Sequence, residues 1–204
     1  MLETPPTIRR PRLDELPNTL ELFERLKRLD DANIVEGFTM KYNSTHDLPF
    51  KFYAEINIDN SRLWNLFIML VNPLPDKLSC VYNLYEEEPI YGSYWKKNLT
   101  LKFLENYKTE LTQDCNLEFG IVYQDKTKLE EVFISDSKYL MVWGNDEILF
   151  KQIMVDFYLK EISNLNFIDE FPKVIEPLTQ FNKSVKSTET VIEELNNYFK
   201  PKEK

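Results

Sequence analysis

The residues that could carry chemistry in this 204-residue chain are few in kind: one histidine, His46, two cysteines, Cys80 and Cys115, and 34 aspartates and glutamates. A histidine-based metal site or proton-transfer pair needs a second imidazole, or a carboxylate and thiolate cluster around a single one. His46 stands in Asn-Ser-Thr-His-Asp-Leu-Pro, which reads as a turn. A Cys80/His46 nucleophile pair has no local signature behind it, and cysteine is among the residue types most often buried. Both cysteines fall in apolar, strand-like runs and read as buried thiols, so a reducing, cytoplasmic setting is expected rather than a disulfide scaffold. The four glycines, Gly37, Gly92, Gly120 and Gly144, can write neither GxGxxG nor GxxxxGK[ST]. No phosphate-cradling loop and no cofactor follow from them.

Carboxylates remain. A metal nuclease site would join an acidic residue to a Glu-x-Lys triplet on the next strand, so that a divalent ion and an activated water share one edge. Asp59 or Asp76 could supply the first part, but the triplets Glu86-Glu87-Glu88 and Glu118-Phe119-Gly120 lack the lysine. No metal site is expected. An enzyme with a carboxylate-only site drawn from Asp59, Asp76 and Glu86 to Glu88 stays as an alternative, because such pairing is spatial and does not show in spacing.

The segment Tyr85-Glu86-Glu87-Glu88-Pro89-Ile90-Tyr91, with Tyr94 and Trp95, interleaves carboxylates and aromatic rings on an irregular loop. Carboxylates can pair with lysine or arginine on another protein, and Tyr and Trp bring large contact area at low entropy cost. Charge points the same way. The net charge is -9, yet residues 29–182 hold 25 acidic against 14 basic side chains, a body of -11, while five of the six arginines lie in the first 28 residues. Such a body repels phosphate backbones, so no nucleic acid is expected as partner, and a basic protein is. The function expected is that of a non-enzymatic acidic protein-binding domain of the immunity or antitoxin type, occluding a basic toxin or nuclease. A structural self-associating subunit is a further alternative.

These side chains must be held by elements that periodicity locates. Residues 1–17 carry four prolines and read as an extended Pro/Arg arm, with Arg9, Arg10 and Arg12 resting loosely on the acidic body and no leader-like apolar run. Asn18 and Thr19 cap a first amphipathic helix to about Asp31. Alternation predicts strands over 34–42, 50–58 and 78–84, with a helix over 60–71 between the last two; that crossover is long enough for them to be parallel. A helix over 97–113 precedes a meander over 117–123, 129–134 and 139–143. Residues 146–162 read as one long helix, apolar on nearly every face, buried as the central core helix or spent on a homodimer. Residues 163–185 show little pattern, and a final helix spans 188–199. The whole predicts a single α+β domain over 18–180 with a mixed five- to six-stranded sheet packed by about three helices, and a C-terminal helix and charged tail over 181–204. The longest apolar run, Leu66 to Val71, is six residues. No membrane association is expected from a run that short.

Overall fold

Strands of alternating apolar residues bury one face and leave the other free, and the arrangement of this chain follows from that. The computed structural model describes residues 2–17, 19–45 and 47–200; the turn read at His46, the cap read at Asn18 and the charged end from Pro201 lie outside them. In chain order the elements are β1 (Ile8–Arg9), α1 (Leu20–Asp30), β2 (Gly37–Tyr42), β3 (Phe52–Asn57), α2 (Asn60–Val71), β4 (Lys77–Leu84), β5 (Ile90–Tyr91), β6 (Trp95–Lys96), α3 (Lys97–Leu104), α4 (Lys108–Gln113), β7 (Leu117–Gln124), β8 (Leu129–Ile134), β9 (Leu140–Gly144), α5 (Glu147–Asp156), β10 (Val174–Ile175), α6 (Leu178–Phe181) and α7 (Thr188–Phe199).

The fold is α+β in one domain, built on an eight-stranded sheet in the order β2-β3-β9-β8-β7-β4-β5, with β6 also on the outer edge of β4. Two features of the expected sheet are corrected. It has more strands than five or six, because Ile90–Tyr91 and Trp95–Lys96, read as irregular loop, both pair with β4. It is also antiparallel at every named pair, the parallel element being a lone bridge between Phe38 and Glu161. β3 and β4 do run in the same direction, but β9, β8 and β7 lie between them. The crossover, α2 with the residues on either side of it, carries the chain back along the strands and across four inter-strand spacings that sum to about 19 Å.

One face of the sheet carries Phe52, Ala54, Ile56, Leu78, Cys80, Tyr82, Phe119, Ile121, Val132, Ile134, Leu140 and Val142, packed under α2, α5 and α7 in a single core. Phe67 of α2 and Phe119 of β7 are fully buried with ring centroids 5.0 Å apart. The C-terminal helix joins this core through Val191, Ile192, Leu195 and Phe199. The helix expected over 97–113 is interrupted by a 3-10 turn at Glu105–Tyr107. Side chains explain the break: Glu105 accepts from Trp64 Nε1 at 2.8 Å and Tyr107 donates to Glu194 at 2.6 Å, each drawn toward a different helix.

The helix expected over 146–162 is ten residues long and buries one side only. Phe150, Ile153 and Met154 enter the core, while Ile148 (84% exposed), Val155 (63%) and Tyr158 (89%) face outward. It ends where Tyr158 takes a left-handed φ of 59°, a conformation that breaks the helical repeat.

The N-terminal arm is docked. Ile8 and Arg9 pair antiparallel with Ile175 and Val174, and the fully buried Thr7 hydroxyl donates to the Gln113 carbonyl. The arginines are drawn into ion pairs, Arg9 with Glu15 and Glu176, Arg10 with Asp30, and Arg12 with Asp14 and Glu15.

Candidate functional site

Residues 85–96 fold back on the outer edge of β4. Tyr82 pairs with Ile90, Val81 with Tyr91, Leu78 with Trp95 and Lys77 with Lys96, so the seven residues singled out above lie along one sheet edge. From Leu84 to Leu78 that edge is roughly 20 Å long. Gly92 lets it approach: a Cβ there would stand 2.8 Å from Cβ of Phe199 on α7.

The seven residues have different surroundings. Glu86, Glu87 and Glu88 form an exposed turn in which Glu86 holds φ at 64° and the Glu87 N–H donates to the Leu84 carbonyl at 3.0 Å. None of the three is in an ion pair among the described residues. Tyr91 is 63% exposed on β5. Tyr85 leans back toward the body, its ring 5.7 Å from Lys173 Nζ, and burial with Glu86 beside it raises its hydroxyl pKa. Lys173 in turn pairs with the nearly buried Asp136, whose N–H donates to Glu118 at 3.1 Å; Glu118 also accepts from Asn83 Nδ2 at 2.6 Å. Tyr94 and Trp95 have structural work. The Tyr94 hydroxyl accepts from the Gln124 N–H at 2.9 Å and donates to the Gln124 carbonyl at 3.2 Å, where β7 runs past the end of β4. Trp95 stacks on Tyr198 at 5.4 Å against the core, with its buried Nε1 left without a partner among the described residues. The edge therefore brings Glu86, Glu87, Glu88 and Tyr91 to solvent, and turns Trp95 inward.

The carboxylates considered for an enzyme do not share a cleft. Asp59 precedes α2 and accepts from the Glu3 N–H at 2.8 Å, Asp76 precedes β4, and Glu86 to Glu88 follow β4 at its other end, roughly 25 Å away along the strand. Both cysteines are buried and free. Burial raises the Cys80 thiol, and pushes Cys115 up to about 11 despite the neighbouring Lys138 and Thr7. Such thiols are protonated and poor nucleophiles at neutral pH. Among the described residues no group of three His, Cys, Asp or Glu side chains could hold a metal ion.

The second face of the sheet holds residues that the spacing alone did not single out. In one row across the strands stand Val122, Glu131, Trp143 and Tyr53; in the next stand Gly120, Phe133, Met141 and Glu55. Tyr91, paired with Val81, extends the second row at the edge. Gly120 makes room for Phe133, since a Cβ there would meet its Cδ2 at 2.7 Å. The rings of Tyr53 and Trp143 lie 4.9 Å apart. Segment 162–167 covers one end of this face, where Tyr139, Leu165 and Phe167 form a small second core against Met141. Burial beside these side chains pushes the Glu131 carboxyl up to about 7. A signal did exist: the polar phase of 51–59 already set Tyr53 and Glu55 on one face, and the same phase applied to the meander would have added Glu131 and Trp143.

In comparisons with protein-family models, with curated proteins and with solved structures, none matches this chain.

Proposed function

We propose that this chain is a non-enzymatic, acidic protein-binding domain whose partner is a basic protein, a toxin or nuclease of the kind that immunity proteins occlude. The observation that carries the reading is the turn Glu86 to Glu88: three exposed carboxylates, unpaired among the described residues, beside the exposed Tyr91 ring. Some surface carboxylates of the chain are neutralised, as Glu15 is by Arg9 and Arg12, and Glu147 by Lys151 at 2.7 Å, whereas this turn gathers three consecutive ones that are not. A body of -11 would steer a basic partner toward that edge, and opposite charge raises association rates more than it deepens affinity. The test is recovery of a basic protein from the native host with the full chain as bait, followed by its association rate at 20 and 200 mM salt. The rate should fall at least tenfold, and fall further for Glu86→Gln/Glu87→Gln/Glu88→Gln. Failure to recover a basic protein, or a rate indifferent to salt, overturns the reading.

A second reading, self-association, rests on α5. Its outward face exposes Ile148 and Val155, with Tyr158 beyond and Lys151 and Gln152 between the first two, and no described residue covers them.

A further inference from the structure

The helix-free face of the sheet is distinguished by what its two carboxylates without an ion-pair partner among the described residues stand among. Glu131 on β8 and Tyr53 on β3 flank Trp143 in a single row, and Glu55 lies two residues along β3 from Tyr53. All four side chains are half-buried, and none belongs to the core under the helices. Glu131 accepts no hydrogen bond from the described side chains, and neither Glu131 nor Glu55 is in an ion pair among them. A carboxylate shielded by rings and left without a cation is incompletely solvated; it gains more from an incoming cation than an open surface carboxylate does. Rings beside it add attraction for the same cation.

Charge on the adjoining groove has the same sign. A cavity of about 940 Å³ beside β2 is lined by Glu55, Glu161, Asp169 and Glu170, with Lys41 as its basic residue. Asp169 accepts from Tyr139 at 2.9 Å and Glu170 from Asn166 at 3.0 Å, which fixes the two carboxylates without neutralising them. Spacing decides the kind of cation. Two strands and two residues separate Glu55 from Glu131, which puts their Cα atoms roughly 12 Å apart, too far to share one ion. An extended chain places side chains four residues apart at about 13 Å.

We infer that the helix-free face of the sheet, from Glu55 to Glu131 across the Tyr53–Trp143 ring pair, is the surface on which a basic polypeptide seats two arginine or lysine side chains spaced four residues apart. The inference rests on the reading that the partner is a basic protein, and assigns that partner's extended segment to this face; Tyr91 joins the face to the acidic turn at the edge.

The probe is an extended synthetic heptapeptide with arginines at its second and sixth positions, titrated into the full chain and followed through amide and indole N–H resonances. A peptide of the same composition with adjacent arginines is the control. The spaced peptide should shift the Trp143 indole and its strand neighbours, bind at least threefold more tightly than the control, and lose at least tenfold in affinity with Glu55→Gln/Glu131→Gln. The turn variant Glu86→Gln/Glu87→Gln/Glu88→Gln should change it less than twofold. Equal affinity for the two peptides overturns the two-cation geometry. Binding lost in the turn variant and kept in Glu55→Gln/Glu131→Gln overturns this inference while leaving the basic-partner reading standing. Recovery of a basic protein from the host, with no peptide binding to the chain, overturns it in the same way.

Discussion

Glu131 concentrates the consequences of leaving one sheet face without helices. Its carboxyl is pushed up to about 7 by burial alone, from a normal value near 4.5. A group that holds its proton more tightly folded than unfolded adds nothing unfavourable while both states are protonated, below about pH 4.5. As pH rises toward and through 7, the unfolded chain ionises freely while the folded one resists, and stability is lost. The full penalty for such a shift is about 3 kcal/mol, and partial exposure reduces it to about 2 kcal/mol. Glu131→Gln should therefore unfold at the same urea concentration as the parent at pH 4.5 and be about 2 kcal/mol more stable at pH 8. Equal stability at both values would show the carboxylate to be well solvated. Residue types alone did not lead to this position. Glu131 is one of 34 acidic side chains, and only the cross-strand register places Trp143 and Val122 beside it. The cysteines were legible, because an apolar run around a thiol predicts burial whatever its neighbours are.

At the scale of elements, strands with clean alternation and helices with a cap were legible, and elements shaped by contacts distant in sequence were not. β7, β8 and β9 fall where Leu117 to Tyr123, Leu129 to Ile134 and Tyr139 to Trp143 alternate, and α7 spans residues 188–199, read as the final helix. The two-residue strands β1, β5, β6 and β10 are too short to show a period. Alternation also names a strand's inner face without naming its neighbour, which is why β3 and β4 looked adjacent. In α5 the apolar surplus suggested length and burial, yet the excess faces outward. Ile148 and Val155 are seven residues apart, two turns of helix, and so share one face, with Lys151 and Gln152 between them. A face of that size supports a weak dimer at most, since each side chain contributes about 1.5–3 kcal/mol on full burial and association itself costs several. Sedimentation velocity near 100 μM should show a concentration-dependent dimer that Val155→Glu abolishes, with melting temperature almost unchanged because Val155 is exposed. A parent chain that sediments as a monomer at that concentration removes the self-association reading.

For the whole molecule, the division between a basic arm and an acidic body was plain in composition, but the docking of the arm changes what it means. The body of -11 and the five arginines among the first 28 residues would give a free arm its own affinity for phosphates. In the fold Arg9 sits between Glu15 and Glu176, Arg10 meets Asp30 at 2.6 Å, Arg25 donates to the Glu170 carbonyl at 2.8 Å, and Ile8 and Arg9 are held in a strand pair. Exposed pairs of this kind are individually weak, yet they are local, whereas a nucleic acid approaching the arm must also face the acidic body within a Debye length of about 10 Å. At Arg9, Arg10 and Arg12 a phosphate contact would have to displace a carboxylate already in place. Binding of a 30-base-pair duplex at 50 mM salt should therefore be undetectable below about 100 μM protein, a concentration at which even non-specific DNA-binding proteins bind. Neutralising the carboxylates that hold the arm, with Glu15→Gln/Asp30→Asn/Glu176→Gln, should open a weak, steeply salt-dependent affinity. Salt-dependent binding by the parent chain would show that the arm leaves the body, and that the -11 surface is not what a partner first meets.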